Sequence, residues 1–404
     1  MAVESYLAGQ LEVSAGHFEQ ALALRPDHPT LTYNLAAVRA RLGDNAAALG
    51  HLRNYAAFGT YSNIAQDEDF AALRGNPEFE ALSETIAGHL QPVIASSVAF
   101  ITTRPMGLIE GIAYDAPRNR FFLTSISEGK IFEIDAAGEE GAAREPRTYL
   151  TMAEHKLWGL MGIEIDQERD LMWVTSSAMV QTAGVEWMMQ YASGALAIDL
   201  TTDRMTRSFR RLPIGRKHAF GDLVIGGDGT VFITNSLAPQ IFVVPKGEAQ
   251  EAGAMKATDF YSLQGIVIAP QGAQLIVADY GMGLLSVKPR RGKVKRLDAP
   301  DGVTLIGIDG LYRYGDDQLI AIQNGVRPPR VLRITMDRRW RAVRSVEVLE
   351  SAHPAYDEPT LGVVVGDDFY YIANSGWPLY ANGIPDAEAL AAANPLTVLK
   401  LPLR

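Results

Sequence analysis

Apolar residues fall in two different rhythms along this chain. From Glu4 to about His89 they recur at three- and four-residue spacing among Ala, Leu, Arg and Glu, the rhythm of amphipathic helices. From residue 93 onward the rhythm shortens. Short apolar runs alternate with Gly, Asn and Asp, as in strands joined by tight turns. Gln91-Pro92 separates the two regimes, because the residue before a proline is pushed out of the helical region. The 404 residues are therefore expected to form a helical domain over 1–90 and an all-β domain over 93–404.

The β part repeats one unit, seen first from Gly107 to Asp135. Glu110-Gly111 opens it, the runs Ile112 to Tyr114 and Phe121 to Thr124 follow, and Ile131 to Ile134 closes it. Aligned on the opening residue, the unit recurs at Met161, Gly221, Gln264, Asp309 and Leu361, with Asp222 in place of the glycine in the third copy. A fourth run is visible in most copies, as in PRTYLTM, RSFRRLP, KVKRLDAP and RSVEVLE. Six four-stranded units of roughly 40–50 residues predict a six-bladed β-propeller. The sixth unit stops at Arg404 after its third strand, while Ser96 to Pro105 holds a strand without a unit. Pairing the two would close the ring and remove two exposed edges.

In the helical part, Gly43, Ala48 and Leu52 fall where a tetratricopeptide repeat places its turn glycine, small packing residue and large apolar residue. The stretch GHFEQALALRPDHPTLTYNLAAVRARLGDNAAALGHL resembles half of one such repeat and then a whole one. A degraded third helical pair follows in DEDFAALRGNPEFEALSETIA. The resemblance implies a protein partner docked through the repeats. The alternative is a short cap packed on the second domain, and no ladder of aromatic or basic residues favours the groove.

Composition narrows the partners. An apolar fraction of 47% suits a fully packed globular chain, and a net charge of −10 argues against nucleic acid. The absence of cysteine removes disulfides, thiolate nucleophiles and Cys-rich zinc sites. No run is long enough for a membrane span, and residues 1–20 lack a signal-peptide pattern. The expected location is the cytoplasm for the chain as it stands, or the periplasm if a trimmed signal peptide preceded it.

Candidate chemistry follows from the repeat. The residue opening each first strand should sit at the mouth of the central channel, so Glu110, Gln264 and Asp309 converge although distant in sequence. Oxygen ligands around one axis suit a hard divalent cation, Ca²⁺ foremost. Without a cation, each carboxylate would cap its own strand. Loops on the same face bring Trp158, His218, Asn235, Asp279, Tyr280, Asn324, Glu358, Asn374 and Trp377. His218 is a candidate proton shuttle or a hydrogen-bonded strand-end histidine. Glu358 precedes the sixth blade and either reaches the mouth or caps a turn. Trp158 and Trp377 are pocket walls or ordinary packing. Two long connections, 176–193 with its VEWMMQY stretch and 374–395 with the helical DAEALAAAN, are lid or binding-loop candidates. Arg327 and Arg330, beside two prolines, read as a solvated turn, with an anion site as the alternative.

The units EGIAYD, GDLVIGGDGTVFITNS and QGIVIAPQGAQLIVADY, with a later DG unit, resemble the regucalcin / gluconolactonase family of six-bladed propellers. Paraoxonase-type lactonases and strictosidine synthase are more distant relatives of that pattern. The resemblance implies a divalent ion held by Glu, Asn, Asn and Asp, which map to Glu110, Gly221, Gln264 and Asp309. Gly221 offers no side chain and Gln264 offers a carbonyl on a longer arm, so the implied set is incomplete. It also implies that Asp222 is a general base or substrate contact. Trp158, Asn235, Tyr280, Asn324 and Trp377 then line the small-molecule substrate.

Three functional readings follow. The first is a hydrolase of lactones or related esters, with Asp222 or His218 moving the proton. The second is a non-catalytic ligand-binding scaffold whose helical repeats dock a partner. The third is a metal-free cyclase or condensing enzyme with Glu358 as acid/base. No GxSxG, P-loop or HExxH pattern is present.

Overall fold

The protein is described by a computed structural model that covers residues 1–404 apart from 152–156, 239, 247–252, 258 and 273. Among the described residues six sheets follow the helices, five of four strands and one of five. Their inner strands are Ile109–Asp115, Gly159–Asp166, Phe220–Ile225, Leu263–Ile268, Ile308–Tyr314 and Gly362–Val365. This is the expected six-bladed propeller. Closure is also as expected. Ser97–Thr102 pairs antiparallel with Thr397–Pro402 and completes the sixth blade. The closing strand buries Phe100 completely against Phe121 and Phe132, a burial that contributes on the order of 2–3 kcal/mol.

Two strands escaped the sequence pattern. Blade 3 has its fourth strand at Gly253–Lys256, where the sequence shows little apolar alternation. Ala143–Arg144 adds in parallel outside the closing strand. It covers part of an edge that would otherwise present unpaired backbone groups.

The recurring glycine has a steric cause. In blades 1 to 5 the inner strand slips register against the second strand at the opening residue and its neighbour. A β-bulge of this kind bends the strand and re-aims a side chain. It also brings neighbouring inner strands very close. A Cβ on Gly111 would lie 2.5 Å from Met161 O, one on Gly162 2.6 Å from Gly221 O, and one on Gly265 2.5 Å from Asp309 O. Only glycine fits between those backbones.

Helices occupy Ala2–Leu7, Leu11–Leu24, Pro29–Arg41, Asn45–Ala57 and Pro77–Gly88. Gly43 makes the turn between the third and fourth at φ +78°, and Ala48 and Leu52 are fully buried. Connections between second and third strands, and from one blade to the next, lie at the channel end where the inner strands begin. The helical segment rests on that mouth face, over blades 4 and 5. Arg25 donates to Gly281 O, Asp27 pairs with Arg296, and Tyr61 N–H donates to Arg327 O.

Arg330 anchors this contact. Its Nη1 donates to Phe58 O at 3.0 Å and Gly59 O at 3.3 Å, beyond the end of the Asn45–Ala57 helix. Its Nε donates to Gln323 Oε1 at 2.6 Å. No carboxylate pairs with it among the described residues. Burial lowers its proton affinity to about 10, and the negative end of the helix dipole supplies the compensation. Arg327 stacks over the Tyr61 ring. Arg327 stays exposed, as a solvated turn requires, but Arg330 is a buried docking point, a pairing across 272 residues of chain that local composition does not encode.

Candidate active site

The channel mouth is built by the bulged residues. Glu110 is 7% exposed, and its Oε2 accepts a 2.8 Å hydrogen bond from Trp377 Nε1. Asp309 Oδ2 accepts from Asn324 Nδ2 at 2.8 Å. Asn324 also donates to Pro359 O, and its own Oδ1 accepts from the Tyr280 hydroxyl at 3.1 Å. Asp309, Asn324 and Tyr280 are therefore one network spanning blades 4, 5 and 6.

Both carboxyls resist ionisation. Burial pushes Glu110 well above the usual carboxylate range, the Asp309 charge adds to this, and the Trp377 N–H opposes it. Burial raises Asp309 to about 7, with Asn324 opposing and Glu358 adding. Asp222 follows Gly221 at the third blade's bulge, and burial lifts it to about 7 despite hydrogen bonds from the Leu223 and Ile266 backbones. Two acids sharing a dry site cannot both ionise cheaply, so one holds a proton near neutrality. Glu358 is exposed, and its carboxyl is raised by partial desolvation and by Asp357. Its φ of +58° is uncommon for a residue with a side chain, and Ser375 Oγ donates to its carbonyl at 2.7 Å.

One wall of the mouth is apolar. Leu108, Ile126, Met161 and Tyr380 form a cluster with Met179, Trp377 and Leu379 against it. Met179 comes from the insertion of blade 2, and Trp377 and Leu379 from that of blade 6. The two long connections thus meet at the mouth, and a helix at Ala387–Ala392 falls within the second as expected.

Several candidates turn back into their own blades. His218 Nδ1 sits 2.9 Å from Asn235 Nδ2, between the rings of Phe220 and Phe242. Burial lowers its proton affinity, and the nearby Arg211 and Arg216 charges lower it further. None of its neighbours is a mouth carboxylate. Asn235 Oδ1 accepts from Ala219 N–H. Asp279 accepts from the backbones of Tyr261, Ser262, Gly281 and Met282. Asn374 clamps the base of its insertion through Pro395 O and Thr397 N–H. Trp158 packs at the junction of blades 1 and 2, with its N–H donating to Ser176 Oγ. Ser125, Ser177, Asn235, Asp279 and Gln323 all end second strands and reach the segment leading into an inner strand. The polar residue closing each second run pins the mouth loops.

Below the mouth, an axial cavity of about 550 Å³ holds two polar groups that the sequence reading omits. Glu164 Oε2 accepts from Ile225 N–H at 3.0 Å, and the Tyr312 hydroxyl accepts from Gly362 N–H at 2.7 Å. Each satisfies a backbone group at the channel-facing edge of the next blade. Their signal was present: the same position of the other units carries Ala113, Val224, Val267 and Val364.

Of the four positions implied to hold a cation, Gly221 has no side chain and Gln264 is engaged by its neighbours. Gln264 Oε1 accepts from Ser236 Oγ and its Nε2 donates to Ser262 Oγ, so the amide is held by neighbouring loops. A Cβ at Gly221 would stand 3.1 Å from Ser236 Oγ, with Gln264 Oε1 at 3.7 Å. Among the described residues no three His, Cys, Asp or Glu side chains group as metal ligands. A hard cation takes roughly six to eight oxygens, more than the side chains of Glu110, Gln264 and Asp309 supply.

No family model matches the chain, and no curated protein matches it in sequence. Solved propeller enzymes resemble it in chain path. PQQ-bound aldose sugar dehydrogenase from Streptomyces coelicolor is 14% identical over 77% of this chain and 99% of that one, with a TM-score of 0.49. Virginiamycin B lyase from Staphylococcus aureus is 13% identical over 70% and 80%, with a TM-score of 0.44. A protein of unknown function from Bacteroides caccae is 10% identical over 59% and 81%, with a TM-score of 0.43. At that distance none of them informs the chemistry of the mouth.

Proposed function

We propose that the protein hydrolyses a lactone or related ester at the propeller mouth, using Glu110 and Asp309 as an acid/base pair. The observation that carries this reading is the pair itself: a buried carboxyl from blade 1 and a part-buried one from blade 5, each raised, each held by one neutral donor. Near neutrality Glu110 keeps its proton and Asp309 is about half ionised. Asp309 takes a proton from a water as the water oxygen bonds to the acyl carbon. The acyl C–O bond then breaks, Glu110 gives its proton to the departing alkoxide, and the product is a hydroxy acid. Tuning two carboxyls apart so that one serves as acid and the other as base is a recurrent enzymatic device. The Met161–Trp377 wall would hold the apolar part of the substrate, and the likeness of the blade motifs to gluconolactonases supports the substrate class. Asp222, two blades from each and lining the axial cavity, is a second proton acceptor. No cation is used.

A panel of lactones and aryl esters tests this against wild type, Glu110→Gln and Asp309→Asn. Turnover should rise as pH climbs through about 7, where Asp309 loses its proton, and fall once Glu110 ionises. Each variant should lose about 10²-fold or more, the scale of acid–base catalysis. Absence of turnover by the wild type across the panel, or full activity in both variants, would remove the proposal.

A further inference from the structure

The VEWMMQY stretch has no part in the chemistry above, and the structure leaves its apolar side chains in water. Trp187 is 79% exposed and Met188 60%. Val180, earlier in the same insertion, is exposed as well, and so are Leu212 and Ile214 in the connection from blade 2 to blade 3. These two segments touch. His218 N–H donates to Tyr191 O at 3.0 Å, and the Lys217 ammonium lies 4.2 Å from the centre of the Tyr191 ring. Both belong to the mouth face, on blades that the helical segment does not grip. Among the described residues, connections on the opposite face expose no large apolar side chain.

The charge here is opposite to that of the whole chain. Net charge is −10, yet the connection 212–219 carries Arg216 and Lys217 with no Asp or Glu, and residues 178–192 hold one carboxylate, Glu186. Arg216 and Lys217 are exposed beside the apolar group. A concentrated apolar patch on a protein surface marks an interaction site. Trp, Met, Leu and Ile standing clear of the surface, flanked by cations, suit the headgroup layer of an anionic bilayer. The apolar groups reach the acyl boundary, and the cations meet phosphates.

We propose that the mouth face of blades 2 and 3 docks on an anionic lipid surface. Trp187, Met188, Leu212 and Ile214 enter the interface while Arg216 and Lys217 pair with lipid phosphates. The contact is peripheral, since no helix among the described residues is long and apolar enough to cross a membrane. The apolar side chains stand on two separate loops, without the strand-edge or helix-groove register that peptide recognition uses. Acidic surface elsewhere on the protein is repelled by the same lipid, which orients the mouth toward the bilayer. The proposal is independent of the hydrolase reading, because it concerns no residue of the acid/base pair.

Full-length protein should be sedimented with vesicles of phosphatidylglycerol in phosphatidylcholine, and with phosphatidylcholine alone. Binding is expected to the anionic vesicles only, weakening as salt rises. The Arg216→Glu/Lys217→Glu variant should bind at least about tenfold more weakly, given about fivefold per charge removed. The Trp187→Ala/Met188→Ala variant should also lose about tenfold, with the wild-type unfolding midpoint retained in both. Equal binding to the two vesicle types, no binding at all, or variants that bind like wild type would overturn the proposal. So would capture of an acidic protein by this face without vesicle binding.

Discussion

Replacing Asp222 by Asn should stabilise the folded protein in alkali and weaken it slightly in acid. Asp222 is part-buried and lines the axial cavity, where Leu223 N–H donates to its Oδ1 at 2.8 Å and Ile266 N–H provides a second bond. Those bonds do not offset the loss of water, and its carboxyl rises from 3.8 to about 7. Between these values the native state keeps a proton that the unfolded chain has released. Stability therefore falls as pH rises from about 4 to about 7, and the loss is complete above 7. At about 1.36 kcal/mol per tenfold change in proton affinity, the ionised side chain costs the fold about 4 kcal/mol. Asparagine escapes that cost. It accepts from one of the two N–H groups and turns its own amide toward the other, forfeiting about 1 kcal/mol. The variant should be about 3 kcal/mol more stable than wild type near pH 8 and about equal to it near pH 4.5, where the wild type has already lost about 1 kcal/mol; it falls about 1 kcal/mol below wild type only under about pH 3. Urea unfolding of the propeller transition at both pH values measures this. The same stability difference at the two pH values would refute the reasoning, because Asp222 would then titrate as it does in water.

Gly265→Ala should destabilise by about 2–3 kcal/mol, since its Cβ would meet the backbone of Asp309 at 2.5 Å and of Leu311 at 2.6 Å. Gly227→Ala, with open space around it, is the neutral control in the same denaturation series. Arg330→Leu should cost about 2–3 kcal/mol by stranding Gln323 Oε1 and the carbonyls of Phe58 and Gly59. Limited proteolysis read by mass spectrometry should then cut near residues 89–96 before the propeller is cleaved. Excess Ca²⁺ should leave the thermal midpoint in place. A ligand present at 100 times its Kd adds about 2.7 kcal/mol, or several degrees, and a shift of that size would restore Glu110, Gln264 and Asp309 as a cation site.

Repetition made the architecture legible. Six spaced copies of one strand pattern determined the blade count, the missing sixth fourth strand and the closing role of Ser97–Thr102, because local alternation and chain order suffice for each. The opening column was legible for the same reason, and it singled out Glu110, Gln264 and Asp309. Which loop residues face the mouth was not. His218, Asn235, Asp279 and Asn374 resemble Asn324 and Glu358 in type and placement, yet they bond within their own blades, and their direction depends on contacts made across blades.

What the sequence by itself determined is the set of short strands, their order, and the helical segment before them, because these follow from periodicity and turn chemistry. Only the tertiary structure decided the protonation of the mouth. A carboxyl's proton affinity depends on enclosure and on charges brought from other blades, and neither is written in its neighbours along the chain. The same holds for Arg330, which composition reads as solvated and the fold places against a helix end 272 positions away. Glu110 began as the first residue of a repeat. Burial and the Asp309 charge from the fifth blade hold its carboxyl well above the usual range, and the Trp377 N–H from the last blade opposes them.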